Sequence, residues 1–247
     1  MTNHWTMNHP ATGFERRSRI RAVLFDIDGT LITTGGAGMR AFANVAHHTF
    51  GVPDGTARIS FAGRTDLGII RDFFTQAGIP PTPDNFARFL KDYLFWLDQL
   101  LHELPGKVLP GVHDLLRSLR LLPEPPLIGL LTGNIRLGGE LKLRRFGLWE
   151  EFAMGAFGDD HEDRNRLAAI AHQRVGERLG RSLEGGEILI IGDTPLDIAC
   201  ARAIRARCLA VATGGATHSV LAEHQPDWLV HSLHGLDCAL ICGWDPV

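Results

Sequence analysis

Two aspartates separated by one residue stand out in the N-terminal part of the chain, in the sequence Asp26-Ile27-Asp28-Gly29-Thr30. Residues two apart on a strand point to the same side, so both carboxyl groups can face one reacting centre. Such a pair suits a nucleophile with an acid–base partner, and carboxylate oxygens are also ligands that Mg²⁺ prefers. Gly29 would allow a sharp turn that brings backbone N–H groups close to an anion.

This motif is compatible with two structural alternatives. A polar strand end closed by an Asx turn has the same pattern, and D-x-D-G also begins the calcium-binding loop of an EF-hand. The EF-hand is disfavoured because an apolar run precedes the motif and the twelfth loop position would be Ala37 instead of glutamate. The motif alone leaves the choice between a simple turn and a catalytic site open.

Thr132-Gly133-Asn134 forms a second polar motif, directly after the apolar run LIGLL. A threonine hydroxyl beside backbone N–H groups makes a small phosphate-binding site at a strand-to-helix turn. Threonine is also common at the N-terminal cap of a helix, where its oxygen binds free backbone N–H groups. The motif alone therefore fits either a ligand contact or a structural cap.

Asp193 and Asp197 form a third polar motif, after the apolar run ILII. Asp193 at the end of a strand and Asp197 one helical turn later would offer oxygen ligands to a divalent cation. Asp193 would also serve as the cap of a helix that begins near Pro195, because proline is favoured in the first helical turn. Both interpretations stay open for this motif taken by itself.

Short apolar runs precede these motifs, and segments with helical patterning lie between them. The predicted strands are Arg21–Ile27, Leu127–Leu131, Ile188–Ile191, Cys208–Ala212 and Trp228–Val230. The predicted helices are Val112–Leu122, Gly138–Phe146, Asn165–Leu179, Leu196–Ile204 and Ser219–Glu223. This alternation predicts an α/β fold with a doubly wound, Rossmann-like parallel sheet. Since such sheets bind ligands at the carboxyl ends of their strands, all three polar motifs fall where a site is expected.

One block departs from the alternation because it contains no strand-like run. Helical segments are predicted there at Met39–Phe50, Leu67–Ala77 and Asn85–Leu101, separated by prolines and glycines. We expect the many aromatic side chains of this block to pack its interior, with a base- or sugar-stacking surface as the alternative. The block is predicted to be an α-helical insertion at 35–107.

The rest of the chain is divided accordingly. We predict a flexible N-terminal tail at 1–18, which lacks apolar periodicity, and an α/β core made of 19–34 and 108–247. The 25 Lys and Arg against 28 Asp and Glu give a net charge of −3, which argues against nucleic-acid and anionic-lipid partners. The four cysteines are expected to be free thiols.

Hydropathy and the first residues bear on localisation. No apolar stretch approaches the roughly 20 residues that cross a bilayer, and the first residues lack the apolar core of a secretory signal. A cytoplasmic protein without a membrane partner is therefore expected. The sequence leaves the choice between a monomer and a homodimer open.

The three strand-end motifs, with an insertion after the first, together resemble the haloacid dehalogenase-like (HAD) hydrolase superfamily across residues 20–245. The helical insertion is similar to the cap of its phosphoglycolate phosphatase and β-phosphoglucomutase branch. This resemblance implies a Mg²⁺-dependent phosphatase that hydrolyses a small phosphorylated metabolite, such as a phosphoglycolate-like monoester, through an aspartyl-phosphate. A sugar phosphomutase of the same family and a catalytically silent binding or regulatory protein are the alternatives.

The resemblance also implies roles for the carboxylates. Asp26 would be the nucleophile, and Asp28 would act as general acid and then as general base. Mg²⁺ would be held by Asp26, by the backbone carbonyl of Asp28 and by Asp193, with Asp197 supporting these ligands. Because a haloacid dehalogenase needs no second carboxylate at Asp28, the motif favours the phosphatase.

Phosphate binding would fall to uncharged donors and to one cation. The resemblance implies that Thr132 and the backbone N–H groups of Gly133 and Asn134 bind phosphoryl oxygens, and Gly29 would contribute from the first motif. The lysine that the family carries before the Gly-Asp strand has no counterpart in this chain. We predict that Arg164 replaces this lysine.

Two other cations are candidates for that position, and a third lies in the predicted cap. Arg166 is the second candidate, whereas Lys142 is disfavoured because it follows the threonine motif too closely. In the insertion, Arg64 would reach a substrate carboxylate or second phosphate, or would simply lie in a surface loop beside a capping Asp66.

Overall fold

The computed structural model describes residues 6–7 and 18–244 of the chain. Its strands are β1 Thr6–Met7, β2 Ala22–Phe25, β3 Ile32–Thr33, β4 Lys107–Val108, β5 Leu127–Leu131, β6 Met154–Ala156, β7 Ile188–Gly192, β8 Arg207–Val211 and β9 Trp228–Val230. Its α-helices are α1 Ala37–His48, α2 Asp66–Ala77, α3 Pro83–Glu103, α4 Val112–Arg120, α5 Arg136–Arg145, α6 Arg164–Leu179, α7 Pro195–Ala203, α8 His218–Glu223 and α9 Cys238–Ile241. The predicted flexible tail lies outside the described residues apart from β1 and Ser18.

Seven strands of the described residues form one sheet in the order β1-β9-β8-β7-β2-β5-β6. The six strands from β9 to β6 run parallel, and β1 pairs antiparallel with the outer side of β9. The predicted doubly wound α/β fold is confirmed. The strand β6 was missed because its three residues, Met-Gly-Ala, carry too little apolar patterning to indicate a strand.

The central strand β2 is buried on both faces, which explains why it reads as a continuous apolar run. Val23 and Phe25 belong to one hydrophobic cluster, whereas Ala22 and Leu24 belong to the cluster on the opposite face. Burying a large apolar side chain of this kind contributes about 1.5–3 kcal/mol to stability. The core therefore fixes the end of β2 firmly on both sides.

The helices α1, α2 and α3 lie between β3 and β4 in the chain, and these two short strands pair antiparallel. The chain thus leaves and re-enters the rest of the fold at one place, which supports the proposed division into a core and an inserted cap. The cap has its own hydrophobic cluster, in which Phe42, Phe73, Phe74 and Phe89 are buried. Most of its aromatic residues pack the interior, as the sequence predicts, whereas Phe95 is exposed.

Membrane insertion finds no support in the helices. Among residues 6–7 and 18–244, no helix combines the length and apolar character required to cross a bilayer.

Candidate active site

The strands β2, β5 and β7 end at one level of the sheet. Phe25 pairs with Leu130 on one side and with Ile191 on the other, so the residues that follow each strand meet at one edge. A cavity of about 410 Å³ lies between this edge and the cap. The predicted site residues that line it are Asp26, Asp28, Gly29, Arg64, Thr132, Gly133, Asn134, Arg164 and Asp193.

Three buried carboxylates lie beside this cavity. One oxygen of Asp26, one of Asp193 and one of Asp197 all lie within 4.8 Å of one another. The Arg164 guanidinium lies among them, since its Nη2 is 3.2 Å from Asp26 Oδ1 and also binds Asp197 Oδ1. Two of the three carboxylates, Asp26 and Asp197, thus share one buried cation. This cluster contains no oxygen from the Asp28 side chain, so that carboxylate has a separate environment.

The protonation of these carboxylates reflects their burial. Burial raises the pKa of Asp26 to about 6; Arg164 opposes the shift, while Asp197 and Asp28 add to it. Burial also raises the pKa of Asp193 to about 8, reinforced by the charges of Asp197 and Asp26. Burial alone would lower the pKa of Arg164, but its two carboxylate neighbours outweigh burial and raise it. With all three carboxylates ionised, the site would hold more negative charge than Arg164 neutralises.

Excess negative charge and hard oxygen donors are the features of a divalent-cation site. The carboxylates of Asp26 and Asp193 both face the cavity, and Mg²⁺ is normally bound by a small number of carboxylates together with water and phosphate oxygens. The residues present therefore fit a bound Mg²⁺.

Hydrogen bonds orient Asp193 and Asp197. Thr30 Oγ1 donates to Asp193 Oδ1 at 3.2 Å, and the Gly215 N–H donates to Asp193 Oδ2 at 2.6 Å. Asp197 Oδ2 accepts from the backbone N–H and the hydroxyl of Thr194, at 3.0 and 2.7 Å. Asp197 thereby caps the first turn of α7, which explains the spacing between the two aspartates.

Gly29 serves the site through its lack of a side chain. It adopts a φ of +83°, and a Cβ there would lie 2.4 Å from Asp193 Oδ2. Its N–H donates to the carbonyl of Ile32 at 2.9 Å. That N–H is thus used within the turn, and the absence of a side chain at Gly29 lets the first and third motifs approach. Its contact with a phosphate stays a prediction.

Asn134 connects the first and second motifs through its side chain. Its Nδ2 donates to Asp28 Oδ2 and to Thr132 Oγ1, both at 2.8 Å. Its backbone N–H also donates to Thr132 Oγ1, at 3.3 Å, and its contact with a phosphate stays a prediction. The Thr132 oxygen thus accepts twice, so its own proton is free to donate to a group in the cavity.

Lys142 is the site residue that the spacing argument underestimated. It is 4% exposed, and its Nζ lies 2.7 Å from Asp28 Oδ2 and 2.5 Å from Asn134 Oδ1. Lys142 lies on the buried face of α5 with Gly138 and Gly139, and its Nζ packs against Gly38 of α1, where a Cβ would lie 3.4 Å away. The signal in the sequence was the helical spacing of Lys142, which follows Gly138 by four residues and Gly139 by three. This spacing places all three residues on one face of the helix.

The other predicted cations have distinct environments. Arg164 is buried, and its Nη1 donates to the carbonyl of Gly63 in the cap at 3.0 Å. Arg166 is exposed on α6 and does not line the cavity. Arg64 lines the cavity, but its Nη1 is paired with Asp72 Oδ2 at 2.6 Å. The structure therefore favours Arg164 over Arg166 as the cation beside Asp26.

The cap contacts the core beside the second motif. The Asp66 N–H donates to the carbonyl of Gly133, and Asp66 Oδ2 accepts from the Ile135 N–H, both at 2.8 Å. Burial raises the pKa of Asp66 to about 6, while the charge of Lys142 opposes this shift. The sequence predicts Asp66 only as a residue that caps a helix, whereas in the structure it joins the helical insertion to the core.

A second pair of contacts joins the cap to the segment before Arg164. The hydroxyl of Thr65 donates to the backbone carbonyl of Glu162 at 2.8 Å. The Arg71 guanidinium forms two hydrogen bonds with the Glu162 carboxylate, at 2.8 and 2.5 Å. These contacts hold the cap over the polar residues of the cavity.

The fold and the site define a class of protein: an α/β enzyme with a polar cavity at the carboxyl ends of its strands, covered by a helical insertion. The model of the haloacid dehalogenase-like hydrolase family matches residues 23–211, so the chain belongs to this family. The chain is 28% identical, over 218 residues, to the phosphoglycolate phosphatase of Synechococcus elongatus, covering 86% of this chain and 93% of the relative. Family membership and this similarity indicate that the protein is a phosphatase.

Solved structures share the fold. The crystal structure of a predicted phosphoglycolate phosphatase from Haemophilus somnus has a TM-score of 0.67 at 20% identity, covering 90% of this chain and 96% of that chain. β-Phosphoglucomutase from Clostridium difficile has the same TM-score at 15% identity, covering 90% and 95%. At these identities the likeness concerns the fold alone.

The contact between Gly133 and the cap is testable by adding one methyl group. A Cβ at Gly133 would lie 2.1 Å from the Arg64 carbonyl oxygen, so Gly133→Ala should push the cap away from the second motif. We expect phosphate release from p-nitrophenyl phosphate to fall by about 10-fold or more, because a displacement of about 1 Å is costly in catalysis. Gly186→Ala is the control, since its Cβ would have its nearest neighbour at 3.6 Å. Equal activity of both variants would contradict the argument.

The raised pKa values predict how stability depends on pH. A carboxyl whose pKa is raised by folding binds more protons in the folded state, so stability falls as pH rises from about 4 towards the folded pKa of about 8 for Asp193. Without metal, Tm should therefore fall between about pH 5.5 and pH 8, by about 3 °C or more. Asp193→Asn should flatten this slope, and Mg²⁺ should raise Tm more at the higher pH.

Thermal unfolding with and without EDTA measures these slopes. Asp54→Asn changes an exposed carboxylate outside the cluster and should keep the slope of the unchanged protein. A slope that Asp193→Asn leaves intact would show that this carboxylate does not titrate in the window.

Proposed function

We propose that the protein is a Mg²⁺-dependent phosphatase that hydrolyses a small phosphorylated metabolite through an aspartyl-phosphate on Asp26. The observation that carries the proposal is the position of Asp26. Its carboxylate lines the cavity, 3.2 Å from the buried Arg164 guanidinium and within the cluster of three carboxylates. A nucleophile, a cation and acidic metal ligands thus lie at one strand edge, with the cap above them.

Asp26, the backbone carbonyl of Asp28 and Asp193 would hold the Mg²⁺, and Asp197 would support them from behind. When bound, the ion supplies positive charge to the nucleophile and to the phosphoryl oxygens. Arg164 adds a second positive charge and keeps Asp26 oriented through its contact with that carboxylate. The Thr132 hydroxyl donates its free proton to a phosphoryl oxygen.

The reaction has two displacements at phosphorus. A carboxylate oxygen of Asp26 attacks, the bond from phosphorus to the leaving alcohol breaks, and Asp28 donates a proton to the alcohol oxygen. Water then attacks the aspartyl-phosphate while Asp28 takes its proton. The bond between phosphorus and the Asp26 oxygen breaks, which releases phosphate and restores both carboxyl groups.

Lys142 and Asn134 position the acid–base group. Both donate to Oδ2 of Asp28, which fixes the carboxyl plane. In the part of the chain that the structure describes, Oδ1 of Asp28 is left to exchange the proton with the alcohol and with water. This arrangement supports distinct tasks for the two aspartates of the first motif.

The similarity to a phosphoglycolate phosphatase supports a phosphoglycolate-like monoester as the reference substrate. A sugar phosphomutase would use the same core residues, and activation of turnover by a sugar bisphosphate would distinguish it. The cytoplasmic location and the monomeric or dimeric state stay predictions from the sequence.

Replacing the nucleophile tests the proposal directly. Asp26→Asn should lower phosphate release from a panel of small phosphoesters by about 10³-fold or more, because the amide cannot form the covalent intermediate. Asp54→Asn makes the same chemical change at an exposed position and should keep full activity. Activity that survives Asp26→Asn, or that persists in EDTA, would contradict the mechanism.

Replacing the acid–base group should separate the two displacements. p-Nitrophenol leaves without a proton donor, so Asp28→Asn should still release about one equivalent of it in a burst from p-nitrophenyl phosphate. Subsequent turnover should be slower by about 10²–10⁴-fold, because water lacks its base. Rapid-quench kinetics measures the burst, and intact-protein mass spectrometry detects the phosphorylated enzyme. Steady turnover without a burst would show that Asp28 is not the base for hydrolysis.

A further inference from the structure

Part of the cavity lining that the cap contributes is apolar. Met39 and Phe42 from α1, Phe61 from the following loop and Ile69 from α2 line this side, which we name the apolar wall. The Phe42 and Phe61 rings meet edge to face with centroids 5.3 Å apart. With the phosphoryl group held at Asp26 and Thr132 on the core side, the alcohol part of a bound ester would extend towards the apolar wall.

Each cation that lines the cavity in the described residues already faces carboxylates. Arg164 contacts Asp26 and Asp197. The two cations nearer the cap, Arg64 and Lys142, are the only ones in the described part of the chain placed to meet an acidic leaving group.

Arg64 and Lys142 are both committed to partners. Arg64 pairs with Asp72 at 2.6 Å. Lys142 binds Asp28 at 2.7 Å, and its charge also acts on the buried carboxyl group of Asp66. An added carboxylate would therefore have to displace a partner of Arg64, or join two carboxylates that already share Lys142.

An acidic leaving group is unfavourable in such a place. A buried anion needs a cation or several donors to replace its hydration, and like charges at short range repel strongly in a low-dielectric cavity. An uncharged alcohol has no such requirement, and an apolar group on it gains by burial against the apolar wall. A cavity of about 410 Å³ is within the usual range for a small ligand.

We infer that the substrate is the phosphate monoester of an uncharged alcohol that carries an apolar group, and that phosphoglycolate is a poor substrate. This inference rests on the proposed phosphatase activity and narrows its substrate class. It departs from the phosphoglycolate-like substrate that the sequence predicts. Arg64 and Lys142, the cations that would bind a substrate carboxylate, are already paired with carboxylates of the protein.

Three esters separate the alternatives. Phosphoglycolate carries a carboxylate, 2-hydroxyethyl phosphate replaces it with an uncharged group of similar size, and n-butyl phosphate adds apolar surface. We expect kcat/KM to rise in that order, by about 10-fold or more from the first to the last. Butanol is the poorest leaving group of the three, so this order would report contacts in the cavity. A kcat/KM for phosphoglycolate equal to or above that for 2-hydroxyethyl phosphate would overturn the inference.

The same assay distinguishes this failure from failure of the proposed function. p-Nitrophenyl phosphate, a reactive ester, reports phosphatase chemistry independently of the alcohol. Its hydrolysis together with a preference for phosphoglycolate would overturn the substrate class alone. If neither p-nitrophenyl phosphate nor any of the three esters is hydrolysed, the proposed function fails and the inference fails with it.

A variant tests the pairing itself. Asp72→Asn removes the carboxylate that holds Arg64, so Arg64 becomes available to an acidic leaving group. We expect kcat/KM for phosphoglycolate to rise about fivefold or more, with n-butyl phosphate changed by less than about twofold. Asp84→Asn removes an exposed carboxylate of α3 that does not line the cavity and should change neither value. The absence of a rise in correctly folded Asp72→Asn, as judged by its Tm, would overturn the role given to this pairing.

Discussion

The burial of three neighbouring carboxylates, two of them in contact with one guanidinium, is the constraint on which the rest of the site depends. Charges withdrawn from water are tolerated only where partners replace their hydration, and Arg164 alone cannot neutralise Asp26, Asp193 and Asp197. Backbone N–H groups and hydroxyls therefore donate hydrogen bonds to Asp193 and Asp197. Glycine at position 29 lets the strand ends approach closely. Ionised carboxylates in this cluster repel one another, and a bound divalent cation would reduce that repulsion.

The fold stabilises this concentration of charge. Parallel strands with matched registers bring three chain segments to one edge, and each strand is held by apolar side chains on both faces. The cap contributes in a different way. It shields the cavity with apolar residues, while Asp66 and Thr65 attach it to the two segments that carry Thr132 and Arg164. The core thus holds the charged groups, and the cap attached to it surrounds the substrate.

The sequence predicts the parts of this arrangement that are local in the chain. Buried parallel strands appear as apolar runs, so the three strand ends and their polar residues could be located, and the break in alternation predicted the insertion. Lys142 was undervalued because spacing measures where a Cα lies, whereas a lysine side chain reaches back along its helix. The pairing of Arg64 with Asp72 and the bridging role of Asn134 depend on side-chain orientation, which no periodicity encodes. Contacts between segments distant in the chain were therefore the least predictable feature.

The two outermost strands of the sheet have a consequence for behaviour in solution. Unpaired N–H and C=O groups along a sheet edge can recruit a second chain, and the danger grows with the length of the exposed strand. Here β1 has two residues and β6 has three, so each end of the described sheet presents only a few such groups. A largely parallel sheet, whose interior strands would be strongly self-associating if exposed, is thus bordered by strands too short to act as templates for aggregation.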